Sequence, residues 1–185
     1  MTLCPGKGGL LTIGAMGMNG GAYKLVLVLH ILSAIAGFGG VLLNGLYAHH
    51  AKQRKGTEGL AIAEANFAVS EMASRFIYAV PVFGLLLVWL SDGVWKLTHT
   101  WVWLSIVVYA VALTISHQVM QPAVKRILAL MREMTAVPVG GGLPAGPPPQ
   151  LTELQALGKK AGATGAALHL ALVAVVFLMV FKPGL

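Results

Sequence analysis

Four apolar stretches, each long enough to cross a lipid bilayer, constrain this chain more than any other feature. They cover residues 23–46, 72–90, 97–120 and 161–181. A spanning helix needs about 20 mostly apolar residues, because the hydrocarbon layer is roughly 30 Å thick. Each stretch is expected to be helical, since an open strand edge in lipid would leave backbone N–H and C=O groups unpaired. The composition agrees. Charged residues make up 10% of the 185 residues, whereas soluble domains average about 25%. The apolar content of 57% excludes a disordered chain, and a single cysteine excludes a disulfide-stapled module. The expected fold class is all-α: a transmembrane four-helix bundle forming one membrane domain over residues 23–182.

The basic residues set an expected orientation. Nine of the thirteen lie beside the two connections 1–2 and 3–4: Lys52, Arg54, Lys55, Arg75, Lys125, Arg126, Arg132, Lys159 and Lys160. Lysine and arginine concentrate on the cytoplasmic side. That places both termini outside, in a bacterial inner membrane. The net charge of +7 then reads as topology and attraction to anionic lipid rather than nucleic-acid binding. All four tryptophans, Trp89, Trp95, Trp101 and Trp103, cluster at the turn between spans two and three. Indoles favour the headgroup level, so they read as an interfacial anchor, with a quinol or ligand platform as the alternative.

The segments outside the spans carry little chemistry. Residues 1–22 lack the pattern of a signal peptide, and we expect translation to begin at Met16 or Met18. Gly6-Lys7-Gly8-Gly9 lacks the remaining residues of a phosphate loop. Thr57 is placed to cap a helix that leads through Glu64 and Glu71 into span two. Beyond span three, Pro122 is expected to start or kink a short helix over residues 123–134, lying in the inner interface. Residues 135–150 hold five prolines and four glycines and read as a cytoplasmic linker.

Any function must rest on the polar residues at membrane depth, which are costly there. On span one, His30, Ser33, Gly37, Gly40 and Asn44 form one stripe at helical spacing, which lets a neighbouring helix approach closely. On span four, Gly162, Gly165, Ala166 and His169 have the same pattern. Counting the helical rise from each end places the levels of His30 and His169 about 8 Å apart. Two such imidazoles are candidate axial ligands for one b-type haem. The alternative is that each bonds to a serine or a backbone carbonyl, or serves a proton relay. His117 and Met120, three residues apart, are expected to share a face and are candidate copper or haem ligands. Otherwise they are an interfacial histidine beside a gap-filling methionine. His49, His50 and His99 read as solvated rim residues. Glu71 and Arg75 are spaced to pair along one helix face with Tyr78, as a structural ion pair or a site for a propionate, an anionic headgroup or a proton. Pro81 should leave a carbonyl near Ile77 free to bond elsewhere.

Lys24-Leu25 through His30 to Gly39-Gly40, with Arg75, Pro81 and the Pro122-Ala123-Val124-Lys125-Arg126 exit, resembles a family of predicted integral membrane proteins. That family sits in a wider group with copper-resistance D-type proteins and the membrane-bound protoporphyrinogen oxidase. The resemblance implies a four-helix fold and, from relatives that bind haem, a ligand role for His30. Span three holds no lysine to match the oxidase, and no outer loop rich in methionine and histidine supports copper import. No nucleophile–base pair or paired catalytic carboxylates mark an enzyme. The expected function is therefore haem binding or electron transfer, with Arg75 near a cofactor propionate. The alternatives are a cofactor-free accessory or scaffolding subunit and, third, transport of a metal ion or small solute. The expected partners are the lipid bilayer and either a membrane-complex partner or a second copy of the chain.

Overall fold

The computed structural model describes residues 17–54, 56–136 and 149–184. Among these residues the chain is all-helical, with four helices long and apolar enough to cross a membrane. They are α1 (Gly21–Gln53), α2 (Gly56–Leu90), a composite third helix and α5 (Pro149–Phe181). The third is α3 (Thr100–Ile115), a π turn (Ser116–Met120) and α4 (Gln121–Ala136), unbroken over 37 residues. The expected start-site segment, residues 1–16, lies outside the described residues, as does most of the expected linker.

The helices outlast the membrane. Runs of 33 to 37 residues rise about 50 Å or more, against a hydrocarbon layer of roughly 30 Å. The excess lies at the end of the bundle where α1 meets α2. There α1 continues past Leu46 to Gln53, and α2 starts at Gly56, so Thr57 lies inside the first turn instead of capping it. Both described termini lie at the opposite end. Gly17 N–H donates to the Leu90 carbonyl, and Gly184 packs on Thr100.

The segment after span three is not a separate interfacial helix. Proline has no N–H, and its ring crowds the carbonyl four residues back. One turn ahead of Pro122 the helix widens into the π turn, where Gln121 N–H reaches back to the Ser116 carbonyl. That wider turn absorbs the proline without ending the helix. The helix continues as α4, which packs on α2 and α5 and fully buries Leu130, at 0% exposed. Arg132 pairs with Glu64 of α2 at 2.8 Å, and Arg126 pairs with Glu153 of α5 at 2.8 Å. These contacts build a charged helical head beyond the apolar spans. Pro149 stands at the first position of α5, where its missing donor costs nothing, and residues 135–136 and 149–150 of the expected linker are helical.

Packing is closest between α1 and α2. Ser33, Gly37 and Gly40 are buried, and His30 and Asn44 bond to α2, so the whole span-one stripe faces that helix. A Cβ at Gly40 would sit 2.6 Å from the Ala73 Cβ, and one at Gly37 would sit 2.9 Å from Ile77 Cγ1. The second pair, α3 with α5, packs differently. Gly162 faces open space and Ala166 is exposed, and of the glycines in that stripe only Gly165 meets a neighbour. Buried Val175 and Leu178 hold α5 in place, so larger side chains set the helix spacing there.

Candidate functional site

The best-defined polar geometry lies around Pro81. A proline at 81 cannot donate to the carbonyl of Ile77, as its position in the sequence implies. Tyr109 of α3 fills that vacancy: its hydroxyl donates to the Ile77 carbonyl at 2.5 Å. One helix over, His30 Nδ1 donates to the Val80 carbonyl at 2.9 Å. The His30 ring lies over Gly84, where an added Cβ would come within 3.3 Å of His30 Cε1. Thus α1 and α3 are both fastened to α2 through the backbone next to its proline. Tyr109 was not singled out in the sequence. Its signal is a phenol in the middle of an apolar span, which must find an acceptor.

The remaining candidates fall apart into separate contacts. His169 Nδ1 donates to the Gly165 carbonyl of its own helix at 2.7 Å. His117 Nε2 and the Tyr78 hydroxyl share a hydrogen bond, and the two rings stack with centroids 5.8 Å apart. Met120, by contrast, directs its methyl at Gly165 of α5. Residues three apart share a face in an α-helix, but the looser winding of a π turn removes that alignment. The structure therefore turns His117 toward α2 and Met120 toward α5. Glu71 and Arg75 are both exposed, and among the described residues no ion pair joins them. His49 accepts from Gln53 at the exposed end of α1, while His99 is half-buried just before α3.

A half-open cavity of about 80 Å³ lies at the seam between the two helix pairs. Phe38, Val41, Ile77, Tyr109, Leu168 and Val175 are among its lining residues, and neither His30 nor His169 is. The cavity also fixes the register of α1 against α5. His30 stands eight residues, about 12 Å, from Phe38 toward the terminal end. His169 stands beside Leu168, within the stretch of α5 that faces Phe38, and its ring is bonded back toward Gly165, away from His30. The two rings are thus offset by on the order of 10 Å or more along the bundle. Two imidazoles on one metal bring their nitrogens to about 4 Å, twice a metal–nitrogen bond of about 2 Å. His30 and His169 do not fit as the two axial ligands of a single iron.

The tryptophans divide into two classes. Trp89 is 70% exposed and Trp103 is exposed on the bundle surface, as an interfacial anchor requires. Trp101 is only 6% exposed and packs edge-on against Trp95, centroids 5.5 Å apart. Lys182 places its ammonium 4.1 Å from the Trp95 ring centre, and Trp95 Nε1 donates to the Tyr23 hydroxyl at 3.2 Å. This pair packs inside the end of the bundle, where Trp89 and Trp103 face outward.

Four apolar spans, helices throughout and polar groups fastened between them define a polytopic α-helical membrane protein. The chain belongs to the DUF2269 family of predicted integral membrane proteins, whose model matches residues 24–183. No curated protein matches the chain, and no solved structure does. The wider resemblance to copper-resistance D-type proteins and the oxidase gains no support from these comparisons.

Proposed function

We propose that this protein is a cofactor-free accessory subunit, a helical scaffold held within a membrane complex. One observation carries the reading: five polar side chains inside the bundle are spent on its own backbone and side chains. His30 bonds to Val80, Tyr109 to Ile77, Ser70 to Asn44, Ser105 to Trp101 and His169 to Gly165. A polar group fastened in this way stiffens the bundle. The charged head beyond the spans adds a surface on which a partner can rest. A second reading, haem held by His30 with its other ligand from outside this chain, has one point in its favour. An imidazole whose Nδ1 is anchored on a carbonyl keeps Nε2 for a metal.

The test is purification in mild detergent, with the dithionite-reduced spectrum and the native mass of the same sample. The expected result is no Soret or alpha band in proportion to the chain, and one partner protein at fixed stoichiometry. Haem bands lost in His30→Ala would overturn the scaffold reading, as would a chain that runs alone in every mild detergent.

A further inference from the structure

We propose that Arg75, Tyr78 and His117 form a binding site for the phosphodiester group of an anionic phospholipid. The inference does not depend on the scaffold reading. Its basis is depth. Trp89 and Trp103 are exposed indoles on α2 and α3 and mark one headgroup level. Arg75 lies fourteen residues from Trp89, and His117 lies fourteen residues from Trp103, so each is about 21 Å below that level. In a layer of roughly 30 Å both stand about 9 Å inside the opposite boundary. The hydrogen bond between Tyr78 and His117 joins the two helices at this depth.

The three side chains share one surface. Arg75 and Tyr78 are neighbours one turn apart on α2, and all three are exposed. An exposed guanidinium at this depth faces acyl chains, where an isolated charge is costly. A long arginine side chain reaches toward the nearer boundary, where lipid phosphates lie. Among the described residues Arg75 has no ion-pair partner. Glu71, the nearest carboxylate on that face, is one turn closer to the boundary and exposed. The guanidinium can bind a phosphodiester with two parallel N–H donors, and the Tyr78–His117 pair supplies polar atoms beside it. Arg75 brings one positive charge to the three-residue site, which favours an anionic lipid over one with its own ammonium group, and the exposed Glu71 carboxylate one turn nearer the boundary opposes that preference without pairing with the guanidinium.

The full chain, purified in a neutral detergent, is titrated with phosphatidylglycerol and, separately, phosphatidylcholine, and bound lipid is counted by native mass spectrometry. Wild type is expected to retain one phosphatidylglycerol at least tenfold more tightly than phosphatidylcholine. Arg75→Gln should lose that preference, Arg75→Lys should keep part of it, and Arg54→Gln, at an exposed arginine outside the spans, should leave it intact. Circular dichroism of each variant confirms the fold, and if Arg75→Gln does not fold, Tyr78→Phe with His117→Gln takes its place. Equal retention of the two lipids by wild type, or full retention in a folded Arg75→Gln or its substitute, would overturn the proposal. Displacement of the lipid by inorganic phosphate at matching concentration would also overturn it, since the site would then recognise free phosphate.

Discussion

The Tyr109 hydroxyl donates to the carbonyl of Ile77, the acceptor that Pro81 leaves without its helical donor. A side chain of α3 thus repairs the backbone of α2. The pairing gives a double-mutant test, because replacing the proline returns the missing N–H to α2 itself. Tyr109→Phe should destabilise the protein by about 1 kcal/mol, the usual scale for a hydrogen bond between membrane helices. In a Pro81→Ala background the same change should cost clearly less. Unfolding measured in mixed micelles for all four proteins gives the coupling, and additive effects would contradict the repair.

The close approach of α1 and α2 is equally specific. At Gly40 an added Cβ would sit 2.6 Å from the Ala73 Cβ, yet 4.0 Å from the Ala73 Cα. Gly40→Ala alone should therefore separate the helices and cost about 2 kcal/mol, in the range of core overpacking. Gly40→Ala combined with Ala73→Gly moves the methyl across the interface and should recover most of that loss. Gly39→Ala, where nothing lies within 4 Å, should be neutral or slightly stabilising. Thermal unfolding of the three variants in one detergent checks the order.

These relationships were partly legible in the sequence, and the exceptions have physical causes. The span-one stripe was readable because small and polar residues at helical spacing admit only one packing face. The orphan carbonyl at Ile77 followed from proline chemistry, but its donor did not, since nothing local links Tyr109 to Pro81. Pro122 misled because the cost of a proline depends on whether the preceding turn can widen, and here it does. That same widening separated His117 from Met120. Glu71 and Arg75 have the spacing of a pair, but spacing permits a contact without requiring one. The depths of His30 and His169, counted from uncertain helix ends, looked compatible with one ligand. The packing register is what shows the offset.

The ion pair between Arg126 and Glu153 predicts a pH dependence outside the spans. The hydrogen bonds from Arg126 hold the Glu153 carboxyl below its ordinary value. A carboxyl with a lowered folded value stabilises the fold above its unfolded value, and that contribution is lost as pH falls through the folded one. Both groups are exposed, so the effect should be small and reduced by salt. Wild type should be slightly more stable than Glu153→Gln at neutral pH, and the two should converge below the carboxylate range. Unfolding midpoints across pH at low and high salt provide the check, and a difference that persists in acid would contradict the assignment.

The two classes of tryptophan can be separated by light. Trp89 stands on the outer surface of the bundle, whereas Trp101 is buried against Trp95, with the Lys182 ammonium 5.7 Å from its ring centre. Lys182 lies over the Trp95 ring, a contact worth up to about 2 kcal/mol when shielded from water. In variants that keep one tryptophan, brominated acyl chains should quench Trp89 and Trp103 strongly and Trp101 weakly. Lys182→Ala should leave the quenching of Trp89 unchanged. It should increase the accessibility of Trp95 to a water-soluble quencher, because the ammonium no longer covers the ring. Equal quenching of Trp89 and Trp101 by lipid would mean that all four indoles rest in the headgroup layer, and that the Trp95–Trp101 pair does not pack inside the end of the bundle.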